Sequence, residues 1–276
     1  MTTRDFFEST DGTRLYKQTW GTPEKGVIVL LPGFADHLGR HKHLVRALTE
    51  RGYGVEGFDH RGNGQSGGVR GHVEHFDQYI EDLHAFLRPI WQYNKPTFLL
   101  GQSHGAHIAL RYGLLHPKSE LIGVIAAAPF LGMNEQLPMT KRWMASLAST
   151  FWPRFHESNK LQIEVLSHDP DIIEETKQDP LYGRVATARW YTETLKAMDE
   201  TIKRAHEFTY PLLMQLAGEE KIVDPNAGRR FFEKVHLNSK SIIEYPGYFH
   251  EIYNETPDRR GPVFEDLGNW LDDNLP

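Results

Sequence analysis

The chain has 276 residues and a formal net charge of −6 at pH 7, with no block of Lys and Arg and no cysteine. This length suits one large domain, or one domain that carries an insertion. The charge and composition exclude a nucleic-acid footprint, and the absence of cysteine excludes disulfides and thiol catalysis.

The first eight residues contain acidic side chains and no apolar stretch, unlike a signal peptide. The longest apolar stretch, residues 121–133, is too short to cross a bilayer and is interrupted by Pro129. We therefore expect a soluble protein in the cytoplasm. Fifteen histidines raise the question of a metal. Because there is no cysteine and no His-Glu-x-x-His arrangement, we expect neither a metal nor a cofactor.

Short apolar runs alternate with helical segments along the chain. The runs cover 27–31, 55–58, 97–100, 121–128, 212–216 and 241–245, and the helical segments cover 41–51, 76–93, 104–116, 226–235 and 262–275. Strands that alternate with helices predict an α/β fold, with a mostly parallel sheet covered by helices on both faces.

The alternation stops between residues 130 and 210, where the pattern is helical without a clear buried strand. We predict a core of residues 1–129 and 211–276, with a helical cap, or lid, inserted at 130–210. In the cap, Trp143, Leu147 and Phe151 recur every four residues on one helix face. Two interpretations stay open: the face packs the cap onto the core, or it binds substrate by lining an acyl-chain channel. If the face is exposed, it would also suit a membrane surface.

The pattern Gly-x-Ser-x-Gly occurs twice, and its surroundings distinguish the two copies. Ser66 lies in a Gly-rich stretch with no regular element directly after it, which is typical of a loop. Ser103 stands between the predicted strand at 97–100 and the predicted helix at 104–116. Strand, sharp turn and helix form the nucleophile elbow of an α/β-hydrolase, so Ser103 is the predicted nucleophile.

A serine nucleophile needs a base, and the base needs a third group that fixes its tautomer. In this fold the chain order is Ser, acid, His, which selects His250, just beyond the last predicted strand. Three carboxylates compete for the position of the acid. Glu220, at the tip of the turn after residues 212–216, is preferred to Asp224, which looks like a helix cap, and to Glu219.

The oxyanion that develops during ester hydrolysis needs preorganised backbone N–H donors. The residue after the nucleophile, His104, supplies one of them. The loop after the strand at 27–31 supplies the other, and we expect it from Phe34, which follows the flexible Gly33.

With these residues placed, the chain resembles the monoacylglycerol lipase and lysophospholipase branch of the α/β-hydrolases. Residues 58–73 are similar to the family segment Asp-His-Arg-Gly-His-Gly-x-Ser-x-Gly-x-Arg-Gly-His, and Asp179-Pro180-Leu181 and the residues around His250 also match. The family's catalytic aspartate falls on Glu220, which is one methylene longer. The family's His-Gly-x-Gly loop reads Pro-Gly-Phe-Ala at residues 32–35.

The resemblance implies hydrolysis of esters that carry one fatty acyl chain and a small polar alcohol, through an acyl-enzyme on Ser103. The expected partner is a small-molecule lipid ester, with transient membrane contact through the cap. The oligomeric state is not predicted. Two other functions stay open: a carboxylesterase for small non-lipid esters, and a non-catalytic ligand-binding protein on the same scaffold. A hydrolase with an aspartate nucleophile would need Asp at position 103.

Overall fold

The computed structural model describes residues 2–134, 138–158 and 161–276. The strands are β1 Thr2–Glu8, β2 Arg14–Trp20, β3 Gly26–Leu31, β4 Tyr53–Phe58, β5 Thr97–Gln102, β6 Leu121–Ala127, β7 His156–Ser158, β8 Val185–Thr187, β9 Leu212–Ala217 and β10 Lys240–Tyr245. Eight of them form one sheet in the order β1-β2-β4-β3-β5-β6-β9-β10, and β7 pairs with β8 in a separate hairpin.

Helices cover both faces of the large sheet. They are α1 Lys42–Glu50, α2 Gln78–Ile90, α3 His104–Leu115, α4 Met139–Phe151, α5 Pro170–Gln178, α6 Ala188–Lys203, α7 Pro225–Lys234 and α8 Pro257–Asp273. Apolar side chains of α2, α3 and α7 share one buried cluster with one face of the sheet. Those of α1 and α8 share a second cluster with the other face. This two-layer covering is the predicted α/β arrangement.

The six predicted strands are all present and run parallel to one another, from β4 at one side to β10 at the other. Five of them are largely buried, and strands that are buried on both faces need continuous apolar runs, which is why the sequence reveals them. The sixth, β10, is an edge strand and is mostly exposed. The short strands β7 and β8 were not predicted, and neither were β1 and β2 of the large sheet. Strands β1 and β2 pair antiparallel at one edge, where most of β1 is exposed and its sequence mixes polar with apolar residues.

The carboxyl ends of the parallel strands lie at one edge of the sheet, and the predicted site residues follow these ends. Phe34 comes after β3, Ser103 directly after β5, Glu220 after β9 and His250 after β10. The strand order also switches here, since β4 lies on one side of β3 and β5 lies on the other. Such a position is a topological switch point. In open α/β sheets such a crevice is the usual place for a ligand.

Between β6 and β9 the chain forms α4, β7, α5, β8 and α6, which occupy most of the predicted cap. Helix α4 packs against α6, yet its large apolar side chains face solvent: Trp143 is 66% exposed and Phe151 68%. The interpretation that this face packs the cap onto the core is therefore wrong. In the parts of the chain that are described, no helix has the length and apolar character needed to cross a membrane.

Candidate active site

Ser103 lies at the sharp turn between β5 and α3. Its φ of 55° and ψ of −114° place a non-glycine residue in a costly region of backbone space. The flanking glycines make the turn possible. A Cβ on Gly101 would lie 2.3 Å from the carbonyl carbon of Gly105, and a Cβ on Gly105 would lie 2.0 Å from the Leu31 carbonyl oxygen. Only glycine fits at both positions, as a nucleophile elbow requires.

His250 and Glu220 form a buried pair. The His250 Nδ1 lies 2.7 Å from a Glu220 carboxylate oxygen, and both side chains are almost fully enclosed. The other carboxylate oxygen accepts hydrogen bonds from the backbone N–H groups of Ile222 and Val223, at 2.8 and 3.3 Å. These bonds fix the carboxylate, which in turn fixes the orientation of the imidazole ring.

The pair shifts the pKa of each partner. Burial alone would raise the pKa of the Glu220 carboxyl, but the neighbouring His250 and the two backbone N–H groups hold it below the usual value. Burial alone would lower the pKa of His250, but the Glu220 carboxylate outweighs this and raises it. Both shifts favour a charged histidine beside a charged glutamate, which a base needs after it has taken a proton.

The other two candidate acids, Asp224 and Glu219, lie elsewhere and do not contact His250. Asp224 accepts a hydrogen bond from the Asn226 N–H at 3.0 Å as the N-cap of α7, and it pairs with Arg230 at 3.1 Å. This is the capping role that its sequence position indicated. Glu219 is exposed. Of the three carboxylates, Glu220 is the one that contacts His250.

The loop of Phe34 lies directly against Ser103, since a Cβ on Gly33 would be 3.5 Å from the Ser103 Cβ. Within the described residues, the backbone N–H groups of Phe34 and His104 donate no hydrogen bond. The next residue, Ala35, has a φ of 68°. The related family has glycine here, which adopts this conformation without strain.

The His104 side chain is fully buried, and its ring centroid lies 4.9 Å from that of Tyr79 and 5.5 Å from that of Phe76. Burial holds the pKa of His104 well below its usual range. The ring is therefore a weak base and stays neutral. Its contribution to the site is its position at the start of α3.

The Gly-x-Ser-x-Gly copy around Ser66 is part of a structural loop, as predicted. The Ser66 hydroxyl accepts a hydrogen bond from the Tyr16 N–H at 2.9 Å and donates one to the Asp59 carbonyl. The neighbouring His60 lies 3.1 Å from the Pro32 carbonyl through its Nε2. Burial lowers the pKa of His60 to about 4, so it is neutral and supports the start of the Phe34 loop.

A buried charge network, unforeseen from the sequence, joins the loops around the site. Arg40 forms two 2.9 Å hydrogen bonds with the Glu251 carboxylate, directly after His250, and one of 2.9 Å with Asp36 in the Phe34 loop. It also donates to the Thr176 hydroxyl of α5 at 2.8 Å. Arg40 and Glu251 are 211 positions apart, so a single sequence contains no signal for the contact.

The three predicted substrate-binding residues of α4, Trp143, Leu147 and Phe151, share an exposed face, and Leu147 is the least exposed of them at 39%. Their role stays a prediction. In residues 2–134, 138–158 and 161–276, no group of three or more His, Asp or Glu side chains is arranged to hold a metal ion.

Comparisons with known proteins identify the family of the chain. A family model described as serine aminopeptidase, S33, matches residues 22–257. Phospholipase YtpA of Bacillus subtilis is 31% identical over 238 residues, covering 84% of this chain and 90% of its own. A monoacylglycerol lipase of Mycolicibacterium smegmatis is 26% identical over 271 residues, covering 96% of this chain and 95% of its own.

Among solved structures, the crystal structure of Paleococcus ferrophilus monoacylglycerol lipase superposes with a TM-score of 0.86 at 29% identity. The match covers 94% of this chain and 99% of the other. A monoglyceride lipase of Saccharomyces cerevisiae, solved with a substrate analogue, has the same fold, with a TM-score of 0.88 at 22% identity. The chain therefore belongs to the serine aminopeptidase S33 family, in the monoacylglycerol lipase branch of the α/β-hydrolase superfamily.

Proposed function

We propose that this protein is a serine esterase that hydrolyses lipid esters with a single acyl chain, such as monoacylglycerols or lysophospholipids. The observation that carries the proposal is the buried Glu220–His250 pair at the same sheet edge as the strained Ser103. The relatives that are named phospholipase and monoacylglycerol lipase support a lipid substrate.

In the proposed mechanism, the Ser103 hydroxyl oxygen attacks the ester carbonyl carbon while His250 Nε2 takes the hydroxyl proton. The negative charge on the carbonyl oxygen is stabilised by the N–H groups of Phe34 and His104. When the tetrahedral intermediate collapses, the bond to the alcohol breaks and His250 returns the proton to the leaving oxygen. His250 then activates a water molecule, which releases the fatty acid from Ser103.

The assigned cap, residues 130–210, gives the substrate its route to the site. Seven large apolar residues on or next to α4 are exposed, and Trp143, Phe151 and Trp152 are each more than 60% exposed. Scattered exposed apolar residues are common, but a contiguous patch marks an interaction surface. We therefore place this face against the surface of a lipid aggregate, from which a single-chain ester enters the site.

The first test is covalent. A fluorophosphonate probe should label the folded protein once, on Ser103, because it reacts with serines that are activated by a neighbouring base. Ser103→Ala should abolish the labelling, while Ser66→Ala, at the other Gly-x-Ser-x-Gly copy, should retain it. Intact-mass spectrometry shows whether each variant carries the probe adduct. A folded wild-type protein without an adduct would refute the serine-hydrolase proposal.

The second test defines the substrate. Rates should be compared on monoacylglycerols, lysophospholipids, short-chain esters and an aminoacyl anilide, the last because the family model carries a peptidase description. We expect kcat/KM to rise with acyl-chain length and the anilide to remain uncleaved. Fastest turnover of acetate esters would instead favour the carboxylesterase alternative. Tight binding of lipid esters without turnover would indicate a non-catalytic binding protein.

A further inference from the structure

Three of the contacts between the cap and the Phe34 loop involve Gly183, Asp179 and Trp190. The Gly183 N–H donates to the Ala35 carbonyl at 2.7 Å, and the Asp179 carboxylate lies 2.7 Å from His37 Nε2. The third contact is aromatic: the indole of Trp190, near the start of α6, stacks on the Phe34 ring with centroids 3.8 Å apart and planes at 28°.

Trp190 also reaches the other predicted oxyanion residue. Its ring centroid lies 5.7 Å from that of His104 and 6.4 Å from that of Phe130, whose N–H binds the Ser103 carbonyl at 3.0 Å. The indole is 5% exposed. A single buried side chain of the cap therefore packs against the residues that carry both predicted oxyanion donors.

Trp190 is held in place by the start of its helix. Thr187 caps α6 by accepting the Trp190 N–H at 3.2 Å, and its own N–H binds the Gly71 carbonyl at 2.9 Å. The close approach requires glycine, since a Cβ on Gly71 would lie 2.2 Å from the Val185 carbonyl oxygen. His72 Nδ1 lies 3.0 Å from the Thr187 hydroxyl. Residues 71 and 72, part of the Gly-rich motif, thus fix the helix that carries Trp190.

The body of α6 is bound to the helix that follows Ser103. His107 Nε2 lies 3.2 Å from the Thr201 hydroxyl, and Arg111 pairs with Glu200 at 3.0 Å. Helix α6 is therefore anchored at both ends against the core. The apolar face of α4, by contrast, is exposed to solvent.

From these contacts we infer that Trp190 is a positioning residue for the oxyanion hole: its stack on Phe34 holds the Phe34 N–H at the place where the oxyanion forms. This inference rests on the proposed function. Because the donor acts on every ester, the effect of Trp190 is independent of acyl-chain length. A side chain that only lined an acyl-chain channel would act on long chains alone.

The test is the variant Trp190→Ala, assayed on an acetate ester and on a long-chain monoacylglycerol. We expect kcat to fall about 10- to 100-fold on both, because a donor displaced by about 1 Å loses much of its value, with KM for the acetate ester little changed. Affinity for a boronic acid transition-state analogue should fall by the same factor as kcat/KM. Trp190→Phe, which keeps a ring against Phe34, should restore most of the activity.

Tyr93→Ala is the control, because Tyr93 is an aromatic residue that is 46% exposed and lies before β5, at the edge of the sheet opposite the site, and its kcat on the acetate ester should not change. If Trp190→Ala does not fold, Phe34→Leu removes the stack from the other side and should give the same loss. A loss confined to long chains, or Trp190→Phe no better than Trp190→Ala, would overturn the inference. Fluorophosphonate labelling separates the two claims: an unlabelled wild type refutes the proposed function, whereas a labelled wild type beside a fully active Trp190→Ala refutes only the role of Trp190.

Discussion

At the scale of single residues, the assignment of Glu220 as the acid that contacts His250 is the part of the proposed mechanism that most needs a test, since the related family has aspartate as its acid. We expect Glu220→Gln to fold and to lower kcat by about 10⁴, the magnitude known for the corresponding change in a serine protease, because the amide cannot stabilise the imidazolium. Asp224→Asn is the control and should keep its activity and stability, since asparagine caps a helix about as well. Steady-state kinetics of both variants would decide. If Asp224→Asn is the crippled variant, the acid is misassigned.

The pH dependence follows from the same contact. His250 must be neutral to take the Ser103 proton, so kcat/KM should rise with pH through the pKa of His250, which lies above its ordinary value of 6.5. In Glu220→Gln the carboxylate that raises this pKa is gone and burial lowers it, so the acidic limb should move to lower pH. A pH profile of the residual activity measures the shift. An unmoved limb would show that Glu220 does not act on His250.

Individual site residues could be predicted from the sequence where the local backbone or the order of elements marks their position. Ser103 is found because glycines two positions before and after it permit the turn, and His250 because it follows the last strand. The choice between Glu220 and Asp224 depended on which side chain reaches His250, and only the structure gives that distance. Trp190 had no signal, because an aromatic residue in an amphipathic helix usually indicates ordinary packing.

At the scale of elements, Arg40 joins the Phe34 loop, the His250 loop and α5 through a buried network of charges. Burial would raise the pKa of Asp36, but Arg40 and His41 hold it far below its usual value. Arg40→Met keeps the side-chain volume, removes the cation that pairs with the buried Glu251, and leaves His41 as the remaining side-chain partner of Asp36. Such a change costs about 3–5 kcal/mol of unfolding free energy, which urea denaturation at pH 7 would measure.

Arg46→Met, on the adjacent helix α1, is the comparison for that experiment. Arg46 pairs with Glu50 at 2.7 Å, but both side chains are mostly in solvent, where ion pairs contribute little. Its urea midpoint should match that of the wild type. Equal midpoints for the two arginine variants would mean that the network of Arg40 does not stabilise the fold.

Helix α4 carries the prediction about lipid access. Trp143→Ser together with Phe151→Ser should weaken turnover of long-chain monoacylglycerol in vesicles, because each large apolar contact with the lipid is worth about 1.5–3 kcal/mol. Turnover of a dissolved acetate ester should be unchanged, since both side chains are exposed. Assays of the two substrates side by side, with Lys141→Ser as a polar change on the same helix, would check this. Equal losses on both substrates would contradict the lipid-contact role.

Elements differ in how well the sequence predicts them. The parallel strands and the helices between them follow from apolar runs and helical periodicity, because burial on both faces leaves few alternatives for every parallel strand except the edge strand β10. The antiparallel strands β1 and β2 were missed: β1 is an exposed edge strand that needs no apolar run, and β2, although partly buried, mixes polar with apolar residues. The direction of the α4 face was also beyond prediction. An amphipathic pattern indicates that one face is apolar, but not what it meets.

At the scale of the whole molecule, the fold places the carboxyl ends of β3, β5, β9 and β10 at one edge of the sheet, so that residues far apart in sequence come together there. The prediction of an insertion at 130–210 followed from the break in the alternation of strands and helices, whereas the order of the strands in the sheet and the contacts of this segment with the core were not predicted. Three of the residues that make these contacts, Gly183, Asp179 and Trp190, meet loop residues more than a hundred positions away. Pairing at that distance leaves no periodicity in a single sequence.

The placement of β9 and β10 at one side of the sheet has a consequence for how the enzyme is made. Ser103 stands in the first half of the chain, while Glu220 and His250 arrive with the last two strands, after the cap has been synthesised. During synthesis the elbow could form early, but Ser103 would lack the base that the proposed mechanism requires until β10 has docked. Such distant pairings form late and slowly. Hydrolytic activity would therefore report complete folding. A nascent or truncated chain that lacks β9 and β10 would not hydrolyse esters.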